Sequence, residues 1–227
     1  MARTLNPVVH TLRRDQFIDA AQELIASKGY ARLSIQDVLD ATGTSRGALY
    51  HYFDSKASLL EAVIDRMTQA VLAAVAPEMD DPSLPAREKL QRLFAGIGAW
   101  KTERKDLLLG LMEVWYSDQN IVVRDKFRRE SITRLEPVLA RILAQGNAEG
   151  AFDVDQPGHT AEVFVSLIQG LNERAGLLYL ARQAGTISFE EFEQTIAAYV
   201  TAFERILGIP RGSLKMIDEP TRRAWFA

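Results

Sequence analysis

Apolar residues in this chain recur at helical spacing, and most glycines and prolines fall between the periodic stretches. No segment of strand length alternates convincingly. The first clear stretch runs from about Arg13 to Lys28, with Phe17, Ala20, Ala21, Leu24 and Ile25 on one stripe. Gly29 stands where such a helix takes a left-handed cap. Ser34, with Asp37 three residues on, reads as the capping start of a second helix that buries Ile35, Val38 and Leu39 and ends at Gly43. Thr44 or Ser45 caps a third helix reaching Phe53. A fourth is predicted from Ser55 to Ala76, where Pro77 stops it.

Beyond the linker-like run MDDPSLP (79–85), longer helices are predicted at about 86–102, 105–117, 120–147, 158–182 and 188–207, with a kink at Pro137. The stretch 208–227 has mixed composition and takes no assignment, with Trp225 and Phe226 as candidates to dock on the body. The expected fold is all-α, with about nine helices. Residues 1–55 form a three-helix domain with a helix-turn-helix. Residues 56–207 form a larger helical domain, with 56–76 connecting the two, and 208–227 is a C-terminal tail.

Composition narrows the function classes. The 227 residues are 47% apolar and 25% charged, as in ordinary globular proteins, which excludes disordered and fibrous classes. With no cysteine there is no disulfide, thiolate metal site or cysteine nucleophile. The three histidines, His10, His51 and His159, are far apart in sequence, so no metal site is expected. Neither GxSxG nor HExxH occurs, and Gly96-Ile97-Gly98 lacks the third glycine of a dinucleotide turn. The acidic pair Asp153 and Asp155 does not make a calcium loop, because Phe164 takes the closing position and Pro157 a ligand position. No catalytic constellation and no cofactor are therefore expected. No apolar run reaches the roughly 18 residues of a membrane span and the start shows no leader, so a cytoplasmic protein is expected. The net charge of −3 gives no global pull toward nucleic acid.

Placement of side chains on the third helix gives a sharper signal. Two short helices joined by a tight, glycine-containing turn are the mark of a helix-turn-helix. At 100° per residue, Ala48, Leu49, Tyr52 and Phe53 share one arc. Gly47 and Tyr50 point the other way, flanked by Arg46 and His51. Glycine costs a helix roughly 1 kcal/mol relative to alanine, and a missing side chain lets the helix approach another surface closely. Thr44, Ser45 and Arg46 lie at the end that reaches base edges when a recognition helix enters the major groove. Arg46 suits a bidentate contact to guanine, His51 a base or phosphate, and Tyr50 a phosphate oxygen. Lys56 and the free N–H groups beginning the fourth helix read as a phosphate clamp, and Ser34 begins a similar helix terminus. Arg3, Arg13 and Arg14 are candidates for further phosphate contacts. Residues 1–56 hold seven basic and six acidic side chains, so placement rather than bulk charge must carry binding.

The run SIQDVLDATGTSRGALYHYFDSK, Ser34 to Lys56, strongly resembles the N-terminal domain of the tetracycline-repressor (TetR) family, with Gly29-Tyr30 before it and Leu59-Leu60 after it also matching. The resemblance covers roughly residues 11–70. It implies a homodimeric, all-helical transcription regulator, usually a repressor that binds a palindromic operator and is released by a small molecule. Ser45, Arg46, Tyr50, His51 and Lys56 align with the family's DNA-contacting positions.

In the later half, Phe192, Ile196, Tyr199, Phe203 and Ile206 make a heptad-like seam, and the preceding helix is apolar nearly all round, including Phe164, Ile168 and Leu171. These two helices from each chain are expected to form a four-helix dimer interface. Phe94, Trp100, Met112, Trp115, Tyr116 and Phe127 are candidate pocket walls for an effector of unknown identity, with Glu113, Asn172 and Glu173 as polar groups. The charged run from Arg124 to Arg134 pairs acids and bases at i,i+4 and reads as a solvated face. The alternative is a helical ligand-binding dimer without DNA activity.

Overall fold

The computed structural model describes residues 7–117, 121–217 and 219–226, with the side chains of 7, 8, 113, 114, 122, 123, 219, 220 and 226 left out. Within these residues there are ten helices and no strand: α1 (Pro7–Lys28), α2 (Ile35–Thr42), α3 (Arg46–Tyr50), α4 (Lys56–Asp80), α5 (Ala86–Glu103), α6 (Lys105–Trp115), α7 (Ile121–Ala148), α8 (Pro157–Gln183), α9 (Phe189–Ile206) and α10 (Glu219–Phe226). Three expectations need correction. The third helix ends at Tyr50 rather than Phe53, with a turn following. The fourth runs through Pro77 to Asp80, because a proline near a helix C-terminus removes a single backbone bond and the remaining turn survives it. The tail contains α10.

The chain divides into two compact units, Met1–Gln69 with Arg104–Phe127, and Ala70–Glu103 with Arg128–Ala227. This cut passes inside α4 and α7 instead of falling at residue 55, and it places α6 beside α1. In the first unit most of the stripe read from sequence is buried: Phe17, Ala21 and Ile25 have no exposure and Ala20 little, while Leu24 is half-buried; Ile18, Val38, Leu49 and Val63 join the core. Gly29 takes φ 80° and closes α1 through its N–H to the Ile25 carbonyl (2.9 Å). The next N–H, of Tyr30, donates to Gly110 O on α6 (2.9 Å). That approach requires glycine at 110, where a Cβ would collide with the Ile25 carbonyl oxygen.

The second unit packs around Phe94, Phe164 and Phe203, whose ring centroids lie 4.5–6.5 Å apart. Leu90, Leu93, Leu139 and Leu143 surround them with no exposure. This core takes in side chains read from the sequence as a dimer seam and as a pocket wall. Phe164, Ile168, Leu171 and Phe203 belong to it, Ile196 and Tyr199 pack against it, and Phe192 is 1% exposed. Most of these side chains are used by the chain's own packing, while Ile196 and Tyr199 stay half-buried. The outward apolar positions on α8 are Val163 and Leu177, 53% and 39% exposed. Phe94 is likewise a core residue rather than a free pocket wall.

The end of the chain is tied down. Buried Glu204 accepts from the Leu214 N–H (2.9 Å), and Arg87 donates to Ser213 O (2.7 Å). On α10, the Trp225 indole N–H donates to the Thr102 hydroxyl (3.0 Å), and its ring lies 6.0 Å from Tyr179. Trp225 thus docks within the second unit, while the Phe226 side chain lies outside the described residues.

Candidate nucleic-acid interface

The turn between α2 and α3 is built from local chemistry. Ser34 caps α2 from an extended backbone. Its hydroxyl accepts from the Asp37 N–H (3.2 Å), and its own N–H donates to the Asp37 carboxylate (2.7 Å). The Lys28 ammonium lies 2.6 Å from that carboxylate. Lys28, and then the Ser34 donors, hold the Asp37 carboxyl well below the usual carboxylate range. Gly43 takes φ 62°, a left-handed conformation that lets the chain turn, and Thr44 N–H bonds back to Leu39 O (3.2 Å). Ser45, rather than Thr44, caps α3 by accepting from the Ala48 N–H (3.3 Å).

This frame anchors α3 by one side. Leu49 is fully buried, Phe53 nearly so, and Ala48 and Tyr52 half-buried. The opposite side, Ser45, Arg46, Gly47, Tyr50 and His51, is exposed, with Tyr50 at 44%. A Cβ on Gly47 would meet no heavy atom within 4 Å, and its φ is not positive. Neither internal packing nor backbone strain therefore asks for glycine there.

The remaining predicted contacts are more engaged. The Thr44 hydroxyl shares a hydrogen bond with that of Thr42 (2.8 Å). The Ser34 hydroxyl also donates to Asp37, so what Ser34 has to offer is mainly its backbone at a helix terminus. Lys56 opens α4 with its ammonium 4.2 Å from the centre of the Tyr30 ring, while the Tyr30 hydroxyl donates to Lys56 O (3.4 Å). Partial burial lowers the pKa of that ammonium, and burial raises that of the Tyr30 phenol. Just ahead of it, Ser55 and Ser58 cap each other through their N–H groups (3.0 and 3.1 Å).

Two residues were missed from sequence. His10 on α1 lies 5.7 Å from the His51 ring and 4.6 Å from Tyr52, so the N-terminal helix abuts the end of α3. Tyr30 is the seat of Lys56. Only tertiary proximity reveals either, since the pairs stand 41 and 26 residues apart in sequence. Arg14 lies over the Phe53 ring, Arg13 is exposed, and Arg3 lies outside the described residues.

The predicted effector residues are divided between the two units. Trp115 and Phe127 meet edge-on (5.1 Å) in the first unit, to which Met112 and Tyr116 also belong. Trp100 is buried in the second unit, where Asn172 accepts from the Lys101 ammonium (2.8 Å). The Glu113 side chain lies outside the described residues. No group of three or more metal-binding side chains is found among the described residues.

The profile of the "Bacterial regulatory proteins, tetR family" matches residues 17–63. The chain is 46% identical over 59 residues to a helix-turn-helix regulator in the lacX 3′ region of Lactococcus lactis, a match spanning 25% of this chain and 30% of that protein. It is 29% identical over 173 residues to the helix-turn-helix transcriptional regulator BetI of Escherichia coli O157:H7, covering 74% of this chain and 85% of BetI. In fold it is similar to a TetR transcription regulator from Haloarcula marismortui, with TM-score 0.63 and 24% identity over 85% of this chain and 98% of that one.

Proposed function

The chain belongs to the TetR family of DNA-binding transcriptional regulators, and from that premise we propose that it represses from a palindromic operator as a homodimer and is released by a small molecule. The observation that carries the DNA reading is the outward face of α3. Four polar or aromatic side chains surround a glycine that the chain's own packing does not require. A helix that lies in a groove uses that gap, because a bare backbone can approach the base edges. A ligand-binding dimer without DNA activity leaves Gly47 unexplained.

Each residue has a role in this reading. Arg46 reads a base, with Thr44 and Ser45 beside it at the end that reaches base edges, His51 contacts a base or a phosphate, and Tyr50 binds a phosphate oxygen. Lys56, held over Tyr30, and the helix terminus that Ser34 opens clamp the flanking strands. Residues 1–55 serve as the DNA-binding domain and 56–207 as the effector-binding and dimerisation domain. A two-fold dimer places its recognition helices about one DNA turn apart. For a dimer built on α8 and α9, the outward positions beginning with Val163 and Leu177 supply the contact. Helix α4 runs from Lys56 to Asp80, so it belongs to both units and carries Lys56 at its start. An effector that binds the DNA-free form more tightly releases the operator, and DNA weakens the effector by the same factor. No described helix is long and apolar enough to cross a membrane, which suits a regulator working beside the DNA in the cytoplasm.

The test is selection of duplexes from a random pool by the full chain, followed by gel shift. A palindrome with half-sites about one turn apart should emerge, and Arg46→Ala and Tyr50→Ala should lose it while remaining folded. A pool that stays unenriched would overturn the reading.

A further inference from the structure

Within the second unit α4, α5 and α7 enclose a cleft of about 270 Å³ that none of the predicted pocket residues lines. Its apolar walls are Leu72, Val75 and Met79 of α4, Leu93 of α5 and Val138 of α7. The spacing explains the shape: Leu72, Val75, Ala76 and Met79 recur at 0, 3, 4 and 7, and Arg134, Val138 and Arg141 at 0, 4 and 7, so one helical face from each side looks inward. Gly96 lets α5 close up on α4, since a Cβ there would sit 2.7 Å from Val75 Cγ1. A proline stands in each long wall, Pro77 in α4 and Pro137 in α7, where a missing backbone bond lets the helix bend. The volume lies just below the range usual for small-molecule sites.

The charge of the rim is the informative part. Arg134 and Arg141 project from the same face of α7, and Asp80 is the one acid lining the cleft. Arg141 meets Asp80 at 3.4 Å, with the two side chains 61% and 70% exposed. Arg134 meets Glu130 at 3.5 Å. The exposed Arg141–Asp80 pair is worth little, so Arg141 can exchange its partner for an incoming anion at small cost, and the half-buried Arg134 holds Glu130 only at the long end of ion-pair distance. An apolar slot with two arginines at its mouth fits a molecule with a carboxylate at one end and a short hydrocarbon body at the other.

We propose that this cleft is the effector site and that it takes a small amphipathic anion, with its carboxylate on Arg134 and Arg141 and its apolar body between α4, α5 and α7. The proposal rests on reading the chain as an effector-responsive regulator. Calorimetric titration of the full chain with octanoate, octanol and octylammonium at pH 7 tests it, beside gel shifts on the duplex selected above. Octanoate should bind at least about tenfold tighter than either counterpart, the scale of one charge-assisted hydrogen bond, and should weaken the DNA complex. Arg134→Gln with Arg141→Gln should erase the preference for the anion. Ala73→Phe, an exposed cleft-lining position, should block all three probes without changing the melting temperature. Equal binding of octanoate and octanol, no binding of octanoate, or binding indifferent to Ala73→Phe would each overturn the site. Octanoate that binds without weakening the DNA complex would overturn its effector role. A chain that selects no duplex refutes the regulator reading instead, and the titration still judges the cleft.

Discussion

Gly47 separates two kinds of constraint that a sequence records in the same letter. At Gly29 and Gly43 the backbone takes φ 80° and 62°, so glycine serves the chain's own turns. At Gly47 the φ is not positive and the space around it is empty, so the chain's own packing does not ask for glycine there. Gly47→Ala should therefore stabilise the fold by up to about 1 kcal/mol while weakening the operator complex, read as a higher melting temperature and a weaker gel shift. A loss on both measures would show that the glycine is structural. Asp37 gives the matching prediction for pH. Its folded carboxyl titrates below its unfolded value, so the unfolded chain binds more protons between the two and stability rises with pH there. The contribution is present above about pH 4 and is lost as the pH falls. Asp37→Asn should lower the melting temperature at pH 7, and that difference should shrink on acidification below pH ~4. A constant difference across the range would mean that Asp37 acts by packing and not by charge.

At the scale of elements, capping chemistry was legible and the ends of helices less so. Ser34 and Asp37, Gly29 and Gly43 stand in the structure as read, because caps use donors and acceptors within three or four residues of each other. α3 was drawn three residues too long, since Tyr52 and Phe53 keep the apolar period after the helical bonds have ended. α4 was stopped too early by giving Pro77 more authority than one missing N–H has. The contact of α6 with α1 left only a weak trace, a glycine at 110 inside an otherwise good helix. Gly110→Ala should force the helices apart and cost about 1–3 kcal/mol, as overpacked positions do. Chemical denaturation measures it, and an unchanged midpoint would show that the helices can shift freely.

At the scale of the whole molecule, the expected homodimer can be tested with the helix faces now assigned. Light scattering at micromolar concentration should give twice the chain mass. Val163→Glu with Leu177→Glu should halve it, whereas a truncation at Phe164 would unfold the core. A persistent dimer in the double variant would move the interface off this face of α8. The dimer's affinity for DNA should fall steeply with salt, in proportion to the ~6–10 phosphates a complex of this kind neutralises, and a flat response would count against groove binding. The sequence by itself determined the helical class, the capped turn before α3 and which face of α3 is exposed, because periodicity and capping act over one or two turns. Only the tertiary structure decided which aromatic side chains the core consumes, that Tyr30 seats Lys56, and that Arg134 and Arg141 overlook an apolar cleft. For a helix apolar nearly all round, such as α8, the pattern by itself does not say which side the same chain covers.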